Sequence, residues 1–360
     1  MITSPALIKD IFGLAKCIPK ISIVIPVFNQ ERTILSNISS VLSSSSEYVE
    51  FIVIDDASYD NTLNVLIQGL PSLIKGCNTL TRLRLFSCKT SMFETWCDCF
   101  GLAVSEANYV IEIQADMTIT EPGFDSKMYR AISAYPDLVM LSGRGTHKIK
   151  DVALSYAKGL GCERAWDDSL QKYLLRVTCE QLRAGAGKIM RFCRLKRVSK
   201  QNIVKNESLV FNPDQITPNI VQFKSSGEAG RLGVMIETNI FFHENMMWLG
   251  ETVMRGPLII DKMKYFEVGG FDSENFFLGY DDHDFCVRAW ILKNYRVGYV
   301  PVGFLSPLDA GTMRKGKTWL QELSIFKNLW RINRHTKRPS LFNAASAFSK
   351  KPAPYEIRRF

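Results

Sequence analysis

Several features that would assign this chain to other protein classes are missing from its sequence. No uninterrupted apolar run approaches the ~18–20 residues that a membrane-spanning helix needs. Residues 1–20 also lack the order of a secretory signal peptide, because Lys9, Asp10 and Lys16 interrupt their apolar residues. None of the nine cysteines forms the C-x-x-C pair of a zinc or redox motif. We therefore expect a short N-terminal leader (residues 1–20), reduced thiols and a cytoplasmic protein.

Two binding signatures are absent as well. The Gly-rich fingerprint of a dinucleotide-dependent dehydrogenase does not follow the first predicted strand, where Phe28-Asn29-Gln30 stands instead. The net charge of +9 is regional: Arg183–Lys205 holds eight basic and no acidic residues, and Gly311–Phe360 holds twelve basic and two acidic ones. Basic and aromatic residues do not interleave there on an ordered motif, so we do not expect a nucleic-acid partner.

What the sequence does contain, over residues 21–147, is an alternation of short apolar runs with helical patterns. Ile21–Val27 is typical of a buried strand, and Glu31–Leu42 repeats apolar residues at helical spacing. Further strands are predicted at Tyr48–Ile54, Arg82–Phe86 and Tyr109–Ile113. This order predicts an α/β fold with a mostly parallel central sheet flanked by helices. Ligands of such sheets bind beyond the carboxyl ends of the strands, which is where functional residues are expected.

The alternation ends after residue 147. Residues 148–231 show no β–α repeat and predict an inserted subdomain, whereas 232–310 resume strands and a helix at 285–295. Residues 311–360 predict a basic helical extension whose last ten residues form a solvated tail. The apolar stripe predicted for the helix at 318–333 has two interpretations: contact with an anionic membrane surface, or packing against the rest of the protein.

Polar residues gather in four blocks at predicted strand ends and helix starts. The blocks are Pro26–Glu31, Asp55–Thr62, Glu112–Met117, and Gly269–Asp272 together with Asp281–Asp284. A single block predicts little, because Asp and Asn at strand ends usually serve as caps or turns. Three acids within Asp281–Asp284 exceed what capping of a helix start requires. Crowded carboxylates raise one another's pKa, which suits a general base.

In order and spacing, these four blocks resemble the inverting family 2 glycosyltransferases of the glycosyltransferase A fold. The resemblance extends over residues 21–145 and 255–301. It implies transfer of a sugar from a nucleotide diphosphate sugar, with a UDP-sugar favoured, to a hydroxyl acceptor that is a glycan, a lipid-linked glycan or another molecule. Residues 21–147 would then be the nucleotide-sugar-binding half, 148–231 the acceptor-side subdomain and 232–310 the acceptor and catalytic-base half. Polysaccharide or glycoconjugate synthesis is the implied process.

The same resemblance implies the role of each site residue. The family's Glu-Asp-x-Asp motif corresponds to Asp281-Asp282-His283-Asp284, which makes Asp282 the implied catalytic base. The donor nucleotide is implied to contact Pro26, Phe28, Asn29, Glu31, Asp56, Ser58 and Gln114. The acceptor side is implied to comprise Arg255, Gly270, Asp281 and Asp284. A structural ion pair is an open alternative for Arg255.

The chain departs from the family at the metal motif, where the usual Asp-x-Asp is Gln114-Ala115-Asp116. Asp116 is the implied ligand of Mn²⁺ or Mg²⁺, since both ions prefer oxygen ligands. The family's downstream histidine has His335 as its sole counterpart after the acid cluster. The incomplete motif leaves a second hypothesis: a catalytically inactive relative that binds a nucleotide sugar or a glycan. The intact acid cluster argues against it.

Overall fold

The computed structural model describes residues 4–147, 224–225, 234–236, 245–253, 255–274, 281–306, 348, 350–354 and 356–360. The strands in these ranges are β1 Ala6–Phe12, β2 Ile21–Val27, β3 Val49–Asp55, β4 Leu80–Ser87, β5 Tyr109–Glu112, β6 Thr118–Ile119, β7 Leu138–Ser142, β8 Thr146–His147, β9 Lys224–Ser225, β10 Val234–Ile236, β11 Met246–Gly250, β12 Thr252–Val253, β13 Leu258–Asp261, β14 Arg296–Tyr299, β15 Phe304–Ser306 and β16 Glu356–Arg359. The helices are α1 Ile34–Ser44, α2 Thr62–Leu73, α3 Glu94–Val104, α4 Phe124–Ser133, α5 Lys262–Val268 and α6 Asp281–Lys293.

A ten-stranded sheet forms the centre of the fold, in the order β1-β4-β3-β2-β5-β13-β7-β14-β11-β16. Seven of the ten strands run in one direction, and the exceptions are β1, β11 and β13, which are antiparallel to their neighbours. The predicted α/β fold with a mostly parallel sheet is thus confirmed. A four-stranded sheet, β6-β15-β10-β9, and the pair β12-β8 accompany it.

Two apolar layers cover the central strands, because successive side chains of a strand point to opposite faces. Ile23 and Ile25 of β2 pack in one cluster with α1, α2 and α4. Val24, between them, belongs to a second cluster that includes Cys97 of α3 and Phe285 of α6. The sheet therefore lies between two helical layers, and the loops that carry the polar blocks follow the ends of its strands.

Both described termini join the edges of the sheet. β1 pairs antiparallel with β4, so part of the segment predicted as a leader is an edge strand. β16 pairs with β11, and Arg358 forms an ion pair with Asp137 at 2.7 Å. The prediction that the last ten residues form a solvated tail is therefore wrong. The partner strand of β16, β11, lies more than a hundred residues earlier in the chain, so no local sequence pattern could indicate the pairing.

Some predictions fall outside the described residues. The helix at 318–333, His335 and most of the 148–231 subdomain are among them, so the membrane interpretation of the C-terminal region stays a prediction. Across the described part of the chain, no helix combines the length and apolar character needed to cross a membrane.

Candidate active site

The loops that follow β2 and β3 are joined by hydrogen bonds between the first two polar blocks. The backbone N–H of Asn29 donates to Ser58 Oγ at 2.9 Å, and Asn29 Oδ1 accepts from the N–H of Tyr59 at 3.0 Å. The N–H of Gln30 donates to Thr62 Oγ1 at 2.7 Å. We call residues 28–31 and 58–62 the paired loops. Because β2 and β3 are adjacent and parallel, their carboxyl ends bring the two blocks together.

Most of the polar side chains that were predicted to bind a nucleotide form hydrogen bonds within the paired loops. Asn29 adopts a left-handed backbone at φ 53°, and Glu31 Oε2 accepts from the N–H of Asn61 at 3.0 Å. The apolar surface is more available, since Phe28 packs edge-on against Tyr59 with ring centroids 5.7 Å apart and Tyr59 is 84% exposed. The paired loops thus offer aromatic faces above a hydrogen-bonded base. Pro26 lies partly exposed in β2, one residue before its end.

Asp56, directly after β3, is buried and faces the loop that precedes α3. Its carboxylate accepts hydrogen bonds from the N–H of Met92 at 2.5 Å, the N–H of Phe93 at 2.9 Å and the hydroxyl of Ser91 at 2.7 Å. Burial raises the pKa of Asp56, and these hydrogen bonds oppose part of that shift. Phe93 holds a positive φ of 69°, a strained conformation for an aromatic residue.

The third block forms a turn that is hydrogen-bonded to the helices α1 and α3. The side chain of Gln114 donates through Nε2 to Glu94 Oε1 at 3.0 Å, and Glu94 lies in the first turn of α3. Asn37 of α1 donates to the backbone carbonyls of Gln114 at 3.1 Å and Met117 at 2.5 Å. Asp116 is partly exposed in this turn.

Arg255 lies among carboxylates that come from three different elements. Its Nη1 contacts Asp98 of α3 and is 3.3 Å from Glu112 Oε2 of β5, while Nη2 contacts Asp281 of α6. The guanidinium also lies over the ring of Phe271, 5.1 Å from its centroid. We call Arg255, Asp98, Glu112 and Asp281 the buried ion cluster; the Arg255 side chain is 10% exposed and the acids less. This geometry supports the structural ion-pair alternative for Arg255, and its acceptor-side role stays a prediction.

The acids of the buried ion cluster outnumber its cation. Burial raises the pKa of Asp98 to about 7 and that of Asp281 to about 6, and Arg255 opposes both shifts. Burial likewise raises the pKa of Glu112 well above its ordinary value. Within the described part of the chain, one carboxyl oxygen each of Asp98 and Asp281 has no hydrogen-bond partner. The cluster therefore retains protons at pH values where exposed carboxyl groups have lost them.

The three acids at the start of α6 have different partners. Asp281 contacts Arg255, and Asp284 forms an i,i+4 ion pair with Arg288 at 2.7 Å. Asp282 instead accepts from His283, whose backbone N–H and Nδ1 each lie 2.8 Å from Oδ1. Burial alone would raise the pKa of Asp282, but its interactions with the side chain and backbone N–H of His283, together with the charge of Arg255, outweigh burial, and the pKa lies below its ordinary value. Asp282 is thus a buried, ionised carboxylate that no arginine of the described ranges contacts directly.

Gly270 and Arg288 shape the turn between α5 and Phe271. Arg288 donates to the carbonyls of Val268 at 3.0 Å and Gly270 at 2.7 Å. Gly270 has a φ of +66°, and a Cβ there would stand 3.1 Å from the Tyr265 ring. The structure gives Gly270 and Asp284 a place in this scaffold, and their acceptor-side roles stay predictions.

The sequence analysis missed Glu94 and Asp98. A signal was present: Asp98 falls at helical spacing with Thr95 and Leu102, and all three are buried on one side of α3. An acid within such a stripe indicates a buried cationic partner. The start of α3 and the loop before it contact the second block through Asp56 and the third block through Gln114, and Asp98 reaches Arg255, which in turn contacts Asp281 of the fourth block.

Comparison with known proteins finds a match for one part of this site. Residues 22–77 match the family model described as glycosyl transferase family 2. This match shows that residues 22–77 are similar to a glycosyl transferase family 2 domain. The matched residues include most of β2, all of β3 and the paired loops. A stretch of 50 residues is 44% identical to the putative glycosyltransferase EpsE of Bacillus subtilis (strain 168), covering 14% of this chain and 18% of EpsE. The chain thus spans less than a fifth of that relative's length.

Solved structures with partial similarity to this chain include three glycosyltransferase-related examples, all at low identity. TarS 1–349 of S. aureus is 14% identical with a TM-score of 0.41, over 80% of this chain and 60% of that chain. The mannosyltransferase PcManGT from Pyrobaculum calidifontis, in complex with GDP-Man and Mn²⁺, is 14% identical with a TM-score of 0.40, over 94% and 77%. GalNAc-T7 with UDP, GalNAc and Mn²⁺ is 12% identical with a TM-score of 0.47, over 93% and 55%. Similarity at this level carries no information about the donor or acceptor of this chain.

Proposed function

We propose that this protein is a metal-dependent, inverting glycosyltransferase that moves a sugar from a nucleotide diphosphate sugar to an acceptor hydroxyl. The observation that carries the proposal is that the three acids at the start of α6 have different partners. Asp281 and Asp284 contact arginines, whereas Asp282 is buried and ionised, with His283 as its hydrogen-bond donor. A base must be unprotonated to accept a proton, and Asp282 meets that condition; its lowered pKa is opposite in direction to the raised pKa that the crowded acids of the sequence predicted.

The paired loops and Asp56 are proposed to bind the donor nucleotide, with UDP as the favoured carrier. Phe28 and the exposed ring of Tyr59 offer faces on which a base can stack. The Asp56 carboxylate would accept the ring N–H of that base in exchange for one of its bonds to Ser91–Phe93. Asn29 and Ser58 would act by holding this platform in shape.

The residues of the third block fit a hard divalent cation. Asp116 and Glu94 are partly exposed or half-buried carboxylates near the Gln114 turn, so the available donors are oxygens. Mg²⁺ and Mn²⁺ commonly take one or two protein carboxylates and complete their coordination with substrate phosphates. Asp116 would hold such an ion, with Gln114 on the ribose or on coordinated water. When bound, the ion would neutralise the charge that grows on the leaving diphosphate.

Asp282 is proposed to remove the proton of the acceptor hydroxyl. The hydroxyl oxygen then forms a bond to the anomeric carbon as the bond to the diphosphate breaks, which inverts that carbon in a single displacement. Two ion pairs hold the first turn of α6 in place for this step: Asp281 with Arg255, and Asp284 with Arg288. A fixed base is effective because its orientation is established before the reaction begins.

A second candidate function is binding of a nucleotide sugar without catalysis. It is favoured by Gln114, which occupies the position of an acid in the family's metal motif. The side-chain amide of Gln114 donates a hydrogen bond to Glu94. Such a protein would bind a donor and release no nucleotide diphosphate under any condition.

The test is incubation of the purified protein with a panel of nucleotide sugars and Mn²⁺, with released nucleotide diphosphate as the readout. We expect release from one donor, and a loss of about 10²–10⁴-fold in the Asp282→Asn variant. Glu106→Gln, at an exposed acid that pairs with Arg82 and belongs to none of the four blocks, should retain the activity. Donor binding in calorimetry without turnover would support the second candidate, and no binding of any donor would refute both.

A further inference from the structure

Two cysteines lie beside Asp56 and take no part in the chemistry proposed above. Cys88 directly follows β4, where its backbone N–H donates to the carbonyl of Asp55 at 2.8 Å. Cys97 lies in α3 and is fully buried, while Cys88 is 6% exposed. The two sulfurs and a carboxylate oxygen of Asp56 all lie within 4.8 Å of one another.

The three side chains are close enough to influence one another. The neighbouring Cys97 thiol lowers the pKa of Asp56 against the larger effect of burial, and Cys88 raises the pKa of Cys97. The carboxylate is therefore surrounded by donors, with Ser91 and the backbone on one side and a thiol proton on the other. A thiol proton is a donor that a metal ion can replace, because a cysteine binds metal as the thiolate.

We propose that Asp56, Cys88 and Cys97 form a binding site for a thiophilic divalent cation of the Zn²⁺ class. Zn–S distances of ~2.3 Å and Zn–O distances of ~2.0 Å place neighbouring ligand atoms about 3.3–3.8 Å apart, so the three side chains need to close only slightly. On binding, each thiol loses one proton and no electron is transferred: one M²⁺ enters and two H⁺ leave. The backbone N–H groups of Met92 and Phe93 remain as donors to the carboxylate.

The donor set separates this site from the one proposed for Mn²⁺ or Mg²⁺. Two sulfur ligands favour Zn²⁺, Cd²⁺ or Co²⁺, whereas the oxygen ligands around Asp116 favour harder ions. Because two protons leave, affinity for the thiophilic ion rises with pH. Resting on the proposed function, one consequence follows: an ion on Asp56 competes with the base of the donor nucleotide.

The experiment is a titration of the metal-free, full-length protein with Co²⁺, followed by near-ultraviolet absorption of the thiolate–cobalt bonds. We expect one Co²⁺ per chain to give the thiolate band, and Zn²⁺ to remove it by displacement. Cys88→Ser and Cys97→Ser should each weaken Co²⁺ binding by tenfold or more. Cys99→Ser is the matched control, since Cys99 is two residues from Cys97 but its sulfur faces Tyr265 Oη at 3.5 Å.

The outcomes are distinct. A wild-type protein without a thiolate band, or a band that survives in both Cys88→Ser and Cys97→Ser, overturns the proposal. A thermal melt of each variant identifies one that has failed to fold, and Asp56→Asn then serves as the second test, with the thiolate band kept and Co²⁺ affinity lowered. The cobalt readout needs no nucleotide sugar, so it succeeds or fails independently of the glycosyltransferase assignment. Displacement of a bound donor by Zn²⁺ tests the competition separately.

Discussion

The paired loops and the buried ion cluster lie in the same candidate site but are held together by different interactions. The paired loops use neutral hydrogen bonds such as that from the Asn29 N–H to Ser58, close to the surface. The cluster uses one guanidinium, Arg255, against the acids Asp98, Glu112 and Asp281 in the interior. A neutral hydrogen bond contributes about 1 kcal/mol and water can replace it, whereas a charge left alone in the interior has no substitute partner. The paired loops should therefore tolerate changes that the buried ion cluster does not.

The largest effect is expected from Arg255→Met, which removes the only cation of the buried ion cluster. We expect the free energy of unfolding to fall by about 3–5 kcal/mol, because uncompensated carboxyl groups remain buried. Urea unfolding followed by circular dichroism measures the change.

Arg82→Met is the matched control for this prediction. Arg82 also contacts two carboxylates, Asp10 at 2.6 Å and Glu106 at 2.5 Å, but its side chain is 26% exposed. Exposed ion pairs contribute about 0–1 kcal/mol, so this variant should lose little. Equal losses in the two variants would show that burial does not distinguish the two arginines.

The second prediction concerns pH. The pKa of Asp98 is raised to about 7 in the folded protein and that of Asp281 to about 6. The folded state therefore binds protons that the unfolded chain releases near the ordinary carboxyl pKa, and the stability these groups contribute is lost as pH rises from about 4 through 6 and 7. We expect the free energy of unfolding to decline between pH 5 and pH 8, and Asp98→Asn to flatten that decline.

Asp10→Asn tests the sign of this argument. The hydrogen bond from Arg82 lowers the pKa of Asp10, so the stability it contributes is present above its ordinary pKa and lost as pH falls. Its removal should leave the decline between pH 5 and pH 8 unchanged. If Asp98→Asn and Asp10→Asn had the same effect in that window, the buried acids could not be its cause.

The contrast between the two regions also explains what the sequence could predict. β2 spans Ile21–Val27 as expected and β3 is shifted by one residue, because both are continuous apolar runs in the centre of the sheet. Each of the paired loops directly follows one of these strands. Because β2 and β3 are parallel neighbours, the sequence could predict that the two loops lie close together. The buried ion cluster joins Arg255 to Asp98 across 157 positions, and each residue alone is an ordinary charged residue. The edge strands β1 and β16 escaped prediction for the same reason, since their partners are distant in sequence or lack a distinctive pattern.

The third prediction returns to the paired loops. Thr62 is fully buried, and its Oγ1 accepts the N–H of Gln30 at 2.7 Å. Thr62→Val keeps the shape but leaves that N–H without an acceptor, so we expect a loss of about 1–3 kcal/mol in the free energy of unfolding. Ser58→Ala, at a half-buried position that water reaches, should lose about 1 kcal/mol or less. A larger loss for Ser58→Ala than for Thr62→Val would contradict this order.

The smallest effect is expected from Glu31→Gln, and it decides how a donor residue of the paired loops acts. Glu31 is exposed, and its carboxylate accepts the N–H of Asn61 at 3.0 Å. A glutamine oxygen can accept the same bond, so the free energy of unfolding should change by less than about 0.5 kcal/mol. If Glu31 contributes only by holding Asn61, the affinity for the donor nucleotide sugar, measured by calorimetry, should fall less than about threefold, because no contact to the donor is lost. A tenfold loss of affinity with unchanged stability would instead mean that the carboxylate contacts the donor directly. Charge would then matter in the paired loops as it does in the buried ion cluster.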